Sequence, residues 1–216
     1  MSFDKSIEDR IIFYNNTSKI KNILHIGACL GEEVSFYQMI NAESVYWFEP
    51  NPKLITQLTE NLSGKNFENK VFPYAVSNKK GSYNFNIIEN ETGTNPGCSS
   101  LQELKIHSEL YQDIRKVDSC LVETIVIDDF LIQEGLNTDF DLVSLDTQGH
   151  DFEILTSSNF ILNSKLIVIE TATVELYEGQ KTDSEIEEFL SSKGYIKDYY
   201  HPFHPVWGDT LFVKNS

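Results

Sequence analysis

Apolar residues fall into short runs separated by glycine, asparagine and acidic stretches, and most runs are too short for anything but buried strands. Ile7 to Tyr14 can form one or two amphipathic turns closed by Asn15-Asn16, an N-terminal packing segment within residues 1–21. Ile23 to Ile26 reads as a strand that stops at Gly27. Gly31 follows, and a helix-compatible segment runs from Glu32 to Ile40. Val45 to Phe48 is the next strand. Pro52 suits the first turn of a helix whose apolar face is Leu54, Ile55, Leu58 and Leu62, with Gly64 as its stop. Val71 to Val76 predicts a third strand.

From Gly81 to Asp128 the pattern changes. Tyr83, Phe85 and Ile87 alternate with polar residues as in a half-buried strand, and Thr92 to Gly97 is turn-rich. A short helix is expected through Leu101, Leu104 and His107, then a strand over Leu121 to Val126. Residues 81–128 therefore read as an insertion between core strands 3 and 4, placed to carry substrate contacts. The wound pattern then resumes: a strand at Asp141 to Leu145, a helix at Asp151 to Ser158, a strand at Leu166 to Ile169 and a helix at Asp183 to Lys193. Tyr195 to Tyr200 and Thr210 to Val213 close the chain as a hairpin, with His201 to Asp209 between them. Alternating strand and helix predicts a single α/β domain over 1–216, doubly wound around a Rossmann-like sheet. The hairpin predicts seven strands with the last antiparallel, rather than the six parallel strands of a dinucleotide dehydrogenase.

Composition narrows the functions open to such a sheet. A net charge of −16 argues against a nucleic-acid partner, since phosphate contacts need clustered Lys and Arg and the only local cluster is Lys79-Lys80. No run is apolar for long enough to span a bilayer, and the N-terminus has no signal-like apolar core, so a soluble cytoplasmic protein without membrane insertion is expected. Three widely spaced cysteines fit reduced thiols rather than a disulfide frame.

The chemistry concentrates at strand ends. Strand, glycine turn, helix and strand are followed by Glu49, which lies 22 positions past Gly27, where an acid can accept hydrogen bonds from both hydroxyls of an adenosine ribose. Cys29 stands where the dinucleotide fingerprint has its middle glycine. Close approach to a pyrophosphate is thus poorly provided, and S-adenosylmethionine, which has no phosphate, needs less. Gly27, Ala28, Cys29, Gly31, Glu32, Glu49, Pro50, Asn51, Ala75 and Asp146 are the candidate cofactor residues. Asp146 and Glu170 end neighbouring strands and form a candidate carboxylate pair, either base and orienter or ligands of a divalent cation such as Mg or Mn. His150, four positions after Asp146, is a further candidate base. Ser100, His204, Trp207 and Asp209 are candidate acceptor contacts.

Six blocks in order give a resemblance to the FkbM-type S-adenosylmethionine-dependent methyltransferases: His25 to Glu33, Phe48 to Pro52, Ser99 to Leu101, Leu145 to Leu155, Val174 to Gly179 and Trp207 to Lys214. The resemblance implies the class I methyltransferase fold and methyl transfer to oxygen, mostly on sugars in glycan, polysaccharide or natural-product biosynthesis. The implied partner is a sugar or glycan acceptor, and whether two copies pair as a homodimer is left open. His25 departs from the acid that many methyltransferases carry there. Two alternatives stay open: a NAD-dependent short-chain-type oxidoreductase, suggested by Tyr177 and Lys181 in Y-x-x-x-K spacing, and a catalytically silent adenosyl-binding module.

Overall fold

The computed structural model describes residues 3–93 and 97–215. Its elements run α1 (Lys5–Thr17), β1 (Asn22–Ile26), α2 (Val34–Met39), β2 (Ser44–Phe48), α3 (Ile55–Leu62), β3 (Glu68–Phe72), β4 (Ala75–Val76), β5 (Gly81–Asn90), α4 (Ile106–Leu110) and β6 (Ile114–Ile125). They continue with α5 (Ile127–Gln133), β7 (Leu142–Leu145), α6 (Asp151–Ser157), β8 (Leu166–Ala172), α7 (Asp183–Ser192), β9 (Tyr195–His204) and β10 (Trp207–Lys214). Seven strands form one sheet in the order β3-β2-β1-β7-β8-β10-β9. The pairs from β3 to β8 are parallel, and β10 is antiparallel to both of its neighbours.

Strand order reverses between β1 and β7, which pair Ile26 with Leu145 at their carboxyl ends. That switch point is where open α/β sheets hold ligands, because the connections leave it in opposite directions and open a crevice. Side chains on alternate positions feed two cores. Leu24, Ile26, Phe48, Val143, Leu145 and Ile167 pack on one face with residues of α5, α6 and α7. Ile23, Val45, Trp47, Leu142 and Val168 pack on the other with residues of α1, α2 and α3. Both faces being covered, the central strands read as continuous apolar runs rather than alternating ones. α1 is capped by Asp4, whose carboxylate accepts from the Ser6 N–H at 2.7 Å.

Several predicted elements are redrawn. The single strand over Val71 to Val76 breaks at Pro73, which has no N–H to give the ladder, so β3 stays in the large sheet while β4 leaves it. β4 instead pairs with β6, and β6 with β5, in a separate three-stranded sheet. β6 begins at Ile114, well before the predicted Leu121, because its first half is exposed and polar and shows no apolar alternation. The expected helix through Leu101 and Leu104 is irregular, bent chain, with isolated backbone bridges from Ser100 to Asn86 and from Leu104 to Tyr177; helix starts only at Ile106. α5 was not foreseen; Asp128 and Asp129 lie in its first turn, where acids oppose the positive end of the helix dipole. Most of His201 to Asp209 is strand rather than loop. Thr94, Asn95 and Pro96 of the predicted turn lie outside the described residues. No helix among the described residues is long and apolar enough to cross a membrane.

Candidate active site

Gly27 sits immediately beyond β1 with φ +90°, and a Cβ there would lie 1.9 Å from the Asp146 carbonyl oxygen. Its glycine character thus lets two strand ends meet, which is a packing demand as well as a ligand demand. Gly31 is similar: a Cβ would come within 2.9 Å of the Leu58 side chain in α3. Between them Cys29 takes φ 47°, a left-handed turn without the glycine that usually makes it easy. The Glu49 carboxylate holds this turn, with Oε2 accepting from the Cys29 N–H at 2.8 Å and Oε1 from the Asn51 N–H at 2.7 Å. Burial nonetheless pushes Glu49 up to about 7. Glu49, Pro50 and Asn51 line one wall of an apolar cavity that Phe48, Tyr74, Ala75 and Phe85 complete.

His150 belongs to this same cavity. Its Nε2 lies 2.9 Å from the Ser77 hydroxyl, and burial lowers its pKa to about 4. It is therefore neutral at pH 7 and faces this apolar cavity, which Glu170 does not line.

A second cavity opens on the other side of the Gly27 turn. Glu32, Glu33, Asp146, Glu170 and Asp209 line it, together with His25, Ala28 and Phe203, and no lysine or arginine does so among the described residues. Burial raises Glu33 to about 8 and Asp209 to about 7, and lowers His25 to about 3. His25 stacks on Trp47 at 4.9 Å and reaches the Tyr37 hydroxyl at 2.9 Å through Nδ1, while its Nε2 is 3.8 Å from Glu33. A space so lined by carboxyl groups suits a cationic group and repels an anionic one.

A third cavity, bounded by His107, Tyr111, Ile114, Leu176 and Trp207, meets the second at Asp146 and Glu170. Asp146 lines all three. Adjacent strands bring the pair together, since Leu145 and Ile169 are register partners. Gln148, in a left-handed conformation (φ 58°), turns its amide back between the carboxyls, donating to Asp146 and, at 3.4 Å, to Glu170. The Tyr177 hydroxyl donates to Gln148 Oε1 at 2.6 Å, and His107 Nδ1 lies 3.0 Å from the same hydroxyl. This chain fixes which end of the amide faces the acids. Burial and the neighbouring Asp146 raise Glu170 well above the carboxylate range, and burial raises Asp146 also.

A divalent cation fits this arrangement poorly. The Gln148 N–H donors occupy the space between the two carboxyls, and among the described residues no group of three His, Cys, Asp or Glu side chains is placed to bind a metal.

The proposed acceptor contacts are scattered. Ser100 is fully buried and its hydroxyl donates to the Gln148 carbonyl at 2.6 Å, bracing the turn from behind. Asp209 faces the carboxyl-rich cavity, and His204 lies beside Tyr111 at 5.9 Å between ring centres. Trp207 is among the residues that line the third cavity, and its ring packs on Phe203. Tyr177 and Lys181 do not share a helix, since α7 begins only at Asp183, and Lys181 pairs outward with Glu185 at 2.8 Å. Sequence reading passed over Glu33, His107 and Gln148 as site residues and weighed Tyr177 only for its spacing to Lys181, since the partners of these side chains are distant in the chain. The D-x-Q-G turn was the one local signal pointing to Gln148.

Solved structures share this architecture at low identity. Magnesium protoporphyrin IX methyltransferase (ChlM) from Synechocystis PCC 6803 with bound SAM superposes with a TM-score of 0.53 at 12% identity, covering 97% of this chain and 77% of that one. The ribosomal protein L11 methylase from Lactobacillus delbrueckii subsp. bulgaricus gives 0.53 at 10% identity, covering 98% and 79%. These likenesses show the class I methyltransferase fold. A comparison with curated proteins gave no match. The model of the methyltransferase FkbM domain matches residues 25–197, most of the chain, from the end of β1 to the start of β9. The chain belongs to the FkbM methyltransferase domain family.

Proposed function

We propose that this methyltransferase uses S-adenosylmethionine and methylates a hydroxyl of a sugar in glycan, polysaccharide or natural-product biosynthesis. The observation that carries the reading is Asp146, one carboxyl group shared by the apolar cavity beside Glu49, the carboxyl-rich cavity and the third cavity. Glu49 would take the ribose hydroxyls and Ala75 would leave room for the adenine. Glu33, Asp209 and the pair would face the cationic methionine end. The ChlM structure, which carries bound SAM, lends the fold-level support.

When bound, S-adenosylmethionine supplies an electrophilic methyl group on a good leaving group. The protein must then hold the acceptor oxygen in line and take its proton. Asp146 is the residue for that task. Gln148 steadies it, donating to Asp146 and reaching Glu170 beside it. Oxygen is favoured over nitrogen because a carboxylate base serves a hydroxyl, which must lose its proton, whereas a neutral amine attacks without help.

Calorimetry with S-adenosylmethionine, S-adenosylhomocysteine and NAD tests the cofactor. Binding of the first two alone is expected, and binding of NAD alone would overturn the reading. Mass spectrometry of sugar acceptors for a gain of one methyl tests the reaction.

A further inference from the structure

We propose that the carboxyl-rich cavity recognises the positive charge on the cofactor sulfur, so that the protein holds S-adenosylmethionine more tightly than S-adenosylhomocysteine and releases the spent cofactor readily. The proposal rests on the methyl-transfer reading above and adds what becomes of the cofactor once its methyl group has gone.

Two cavities meet where the sulfur has to lie. That reading seats the adenosine in the apolar cavity beside Glu49 and the amino-acid end in the carboxyl-rich one, and the sulfur joins the two halves. Gly27, Cys29 and Asp146 line both cavities. Gly27 has no side chain, and burial pushes the Cys29 thiol up to about 12, so it carries no charge at pH 7. That leaves Asp146 as the acid at the crossing. Gln148 donates to it through a neutral amide, which steadies the carboxyl without cancelling its charge.

The rest of the wall lacks a counter-charge. Glu33 is only 4% exposed, yet no other described residue donates a hydrogen bond to its carboxyl. His25 Nε2, at 3.8 Å, is too far, and burial lowers that ring to about 3 and leaves it neutral. Asp209 lines the same space and also has no donor among the described residues. Carboxyl groups buried in this way ionise reluctantly, which is why burial raises Glu33 to about 8 and Asp209 to about 7. A cation on the ligand supplies the charge that the described lining does not.

Methyl transfer removes that attraction in one step. The acceptor oxygen bonds to the methyl carbon, the carbon–sulfur bond breaks with its electron pair left on sulfur, and the acceptor proton passes to Asp146. The sulfonium becomes a neutral thioether as the carboxylate becomes a neutral acid, so positive and negative charge vanish together. The two forms of the cofactor differ only in the methyl group and its charge. A cavity lined by Glu32, Glu33, Asp146, Glu170 and Asp209, with no lysine or arginine among the described residues, therefore favours the charged form.

Calorimetry with S-adenosylmethionine, S-adenosylhomocysteine and sinefungin tests the assignment. Sinefungin has an amine-bearing carbon in place of the methylated sulfur, so it is cationic near that point without being a sulfonium. S-adenosylmethionine and sinefungin should each bind at least about tenfold more tightly than S-adenosylhomocysteine. Asp146→Asn should cut that preference about 5-fold or more, by weakening the two cations more than the thioether. Glu170→Gln should narrow it in the same direction, and serves as the second variant should Asp146→Asn fail to fold. Equal or tighter binding of S-adenosylhomocysteine by the parent protein overturns the proposal, as does a preference unchanged in every folded variant. If neither S-adenosylmethionine nor S-adenosylhomocysteine binds, the methyl-transfer reading itself fails and takes the proposal with it.

Discussion

The apolar cavity beside Glu49 and the third cavity, proposed for cofactor and acceptor, share Asp146 but are built differently. The first is anchored at the ends of β1 and β2, where Glu49 reaches back only 20 residues to the Cys29 N–H, and is closed by Ala75 of β4 and Phe85 of β5. The acceptor cavity gathers Ile114 of β6, Leu176 after β8 and Trp207 of β10, with His107 and Tyr177 joined across 70 residues. A site made of strand ends is fixed once the sheet forms. A site assembled from a second sheet and a hairpin is free to change its walls without disturbing the donor. That division lets one scaffold keep its cofactor chemistry while its acceptor varies.

The sharpest way to break the comparison is at the shared residue. Asp146→Asn should lower kcat by about 10²- to 10⁴-fold, the range for losing a positioned base, a larger loss than the weakening of S-adenosylhomocysteine binding that goes with it. A kcat within tenfold of the parent would remove Asp146 as the base. Glu49→Ala attacks the donor side alone and should weaken cofactor binding by about 1–3 kcal/mol. The same change releases two backbone N–H groups, so the melting temperature should fall too; an unchanged Kd by calorimetry would take Glu49 off the ribose. Tyr177→Phe attacks the far side. Without its hydroxyl the Gln148 amide can flip, and kcat should drop about tenfold, the equivalent of roughly 1.4 kcal/mol, while cofactor Kd stays put. A weakened cofactor with normal kcat would contradict that positioning role.

The smallest effect is a pH slope. Glu33, Glu49 and Asp209 have pKa values raised to about 8, 7 and 7, above the ordinary carboxyl values of the unfolded chain. The folded protein binds more protons than the unfolded one between those limits, so these groups stabilise it at low pH and lose that contribution as pH rises through about 8. His25, His107 and His150, lowered to about 3, 4 and 4, act oppositely but only below about pH 6.5, where the unfolded histidines begin to charge. Between pH 6.5 and 8.5 the melting temperature of the ligand-free protein should therefore fall, and Glu33→Gln should flatten the decline. A flat parent profile by calorimetric scanning would show that these acids are already ionised.

How far the sequence could be read follows the same division. The wound order, the antiparallel last strand and the meeting of Asp146 with Glu170 came from short apolar runs and their terminal residues, signals that lie within a few positions. Pro73 was visible, yet its effect was read as a strand continuing through it. The Gln148 to Tyr177 to His107 chain was hidden because no local pattern records which distant hydroxyl an amide will meet. His150 illustrates the opposite hazard: four residues from Asp146 along the chain, it turns to Ser77 and a different wall.

The place of β10 between β8 and β9 bears on how the molecule is made. β9 is synthesised first, but its hydrogen-bonding partner in the sheet is β10, so it has no edge to join until the later strand arrives. During synthesis β8 would stand as an exposed edge carrying Leu166 to Ile169, an apolar segment of the sort that recruits other chains. Strand insertion of this kind makes assembly of the acceptor wall a late event, and makes the last hairpin the point at which a nascent chain is most prone to aggregate.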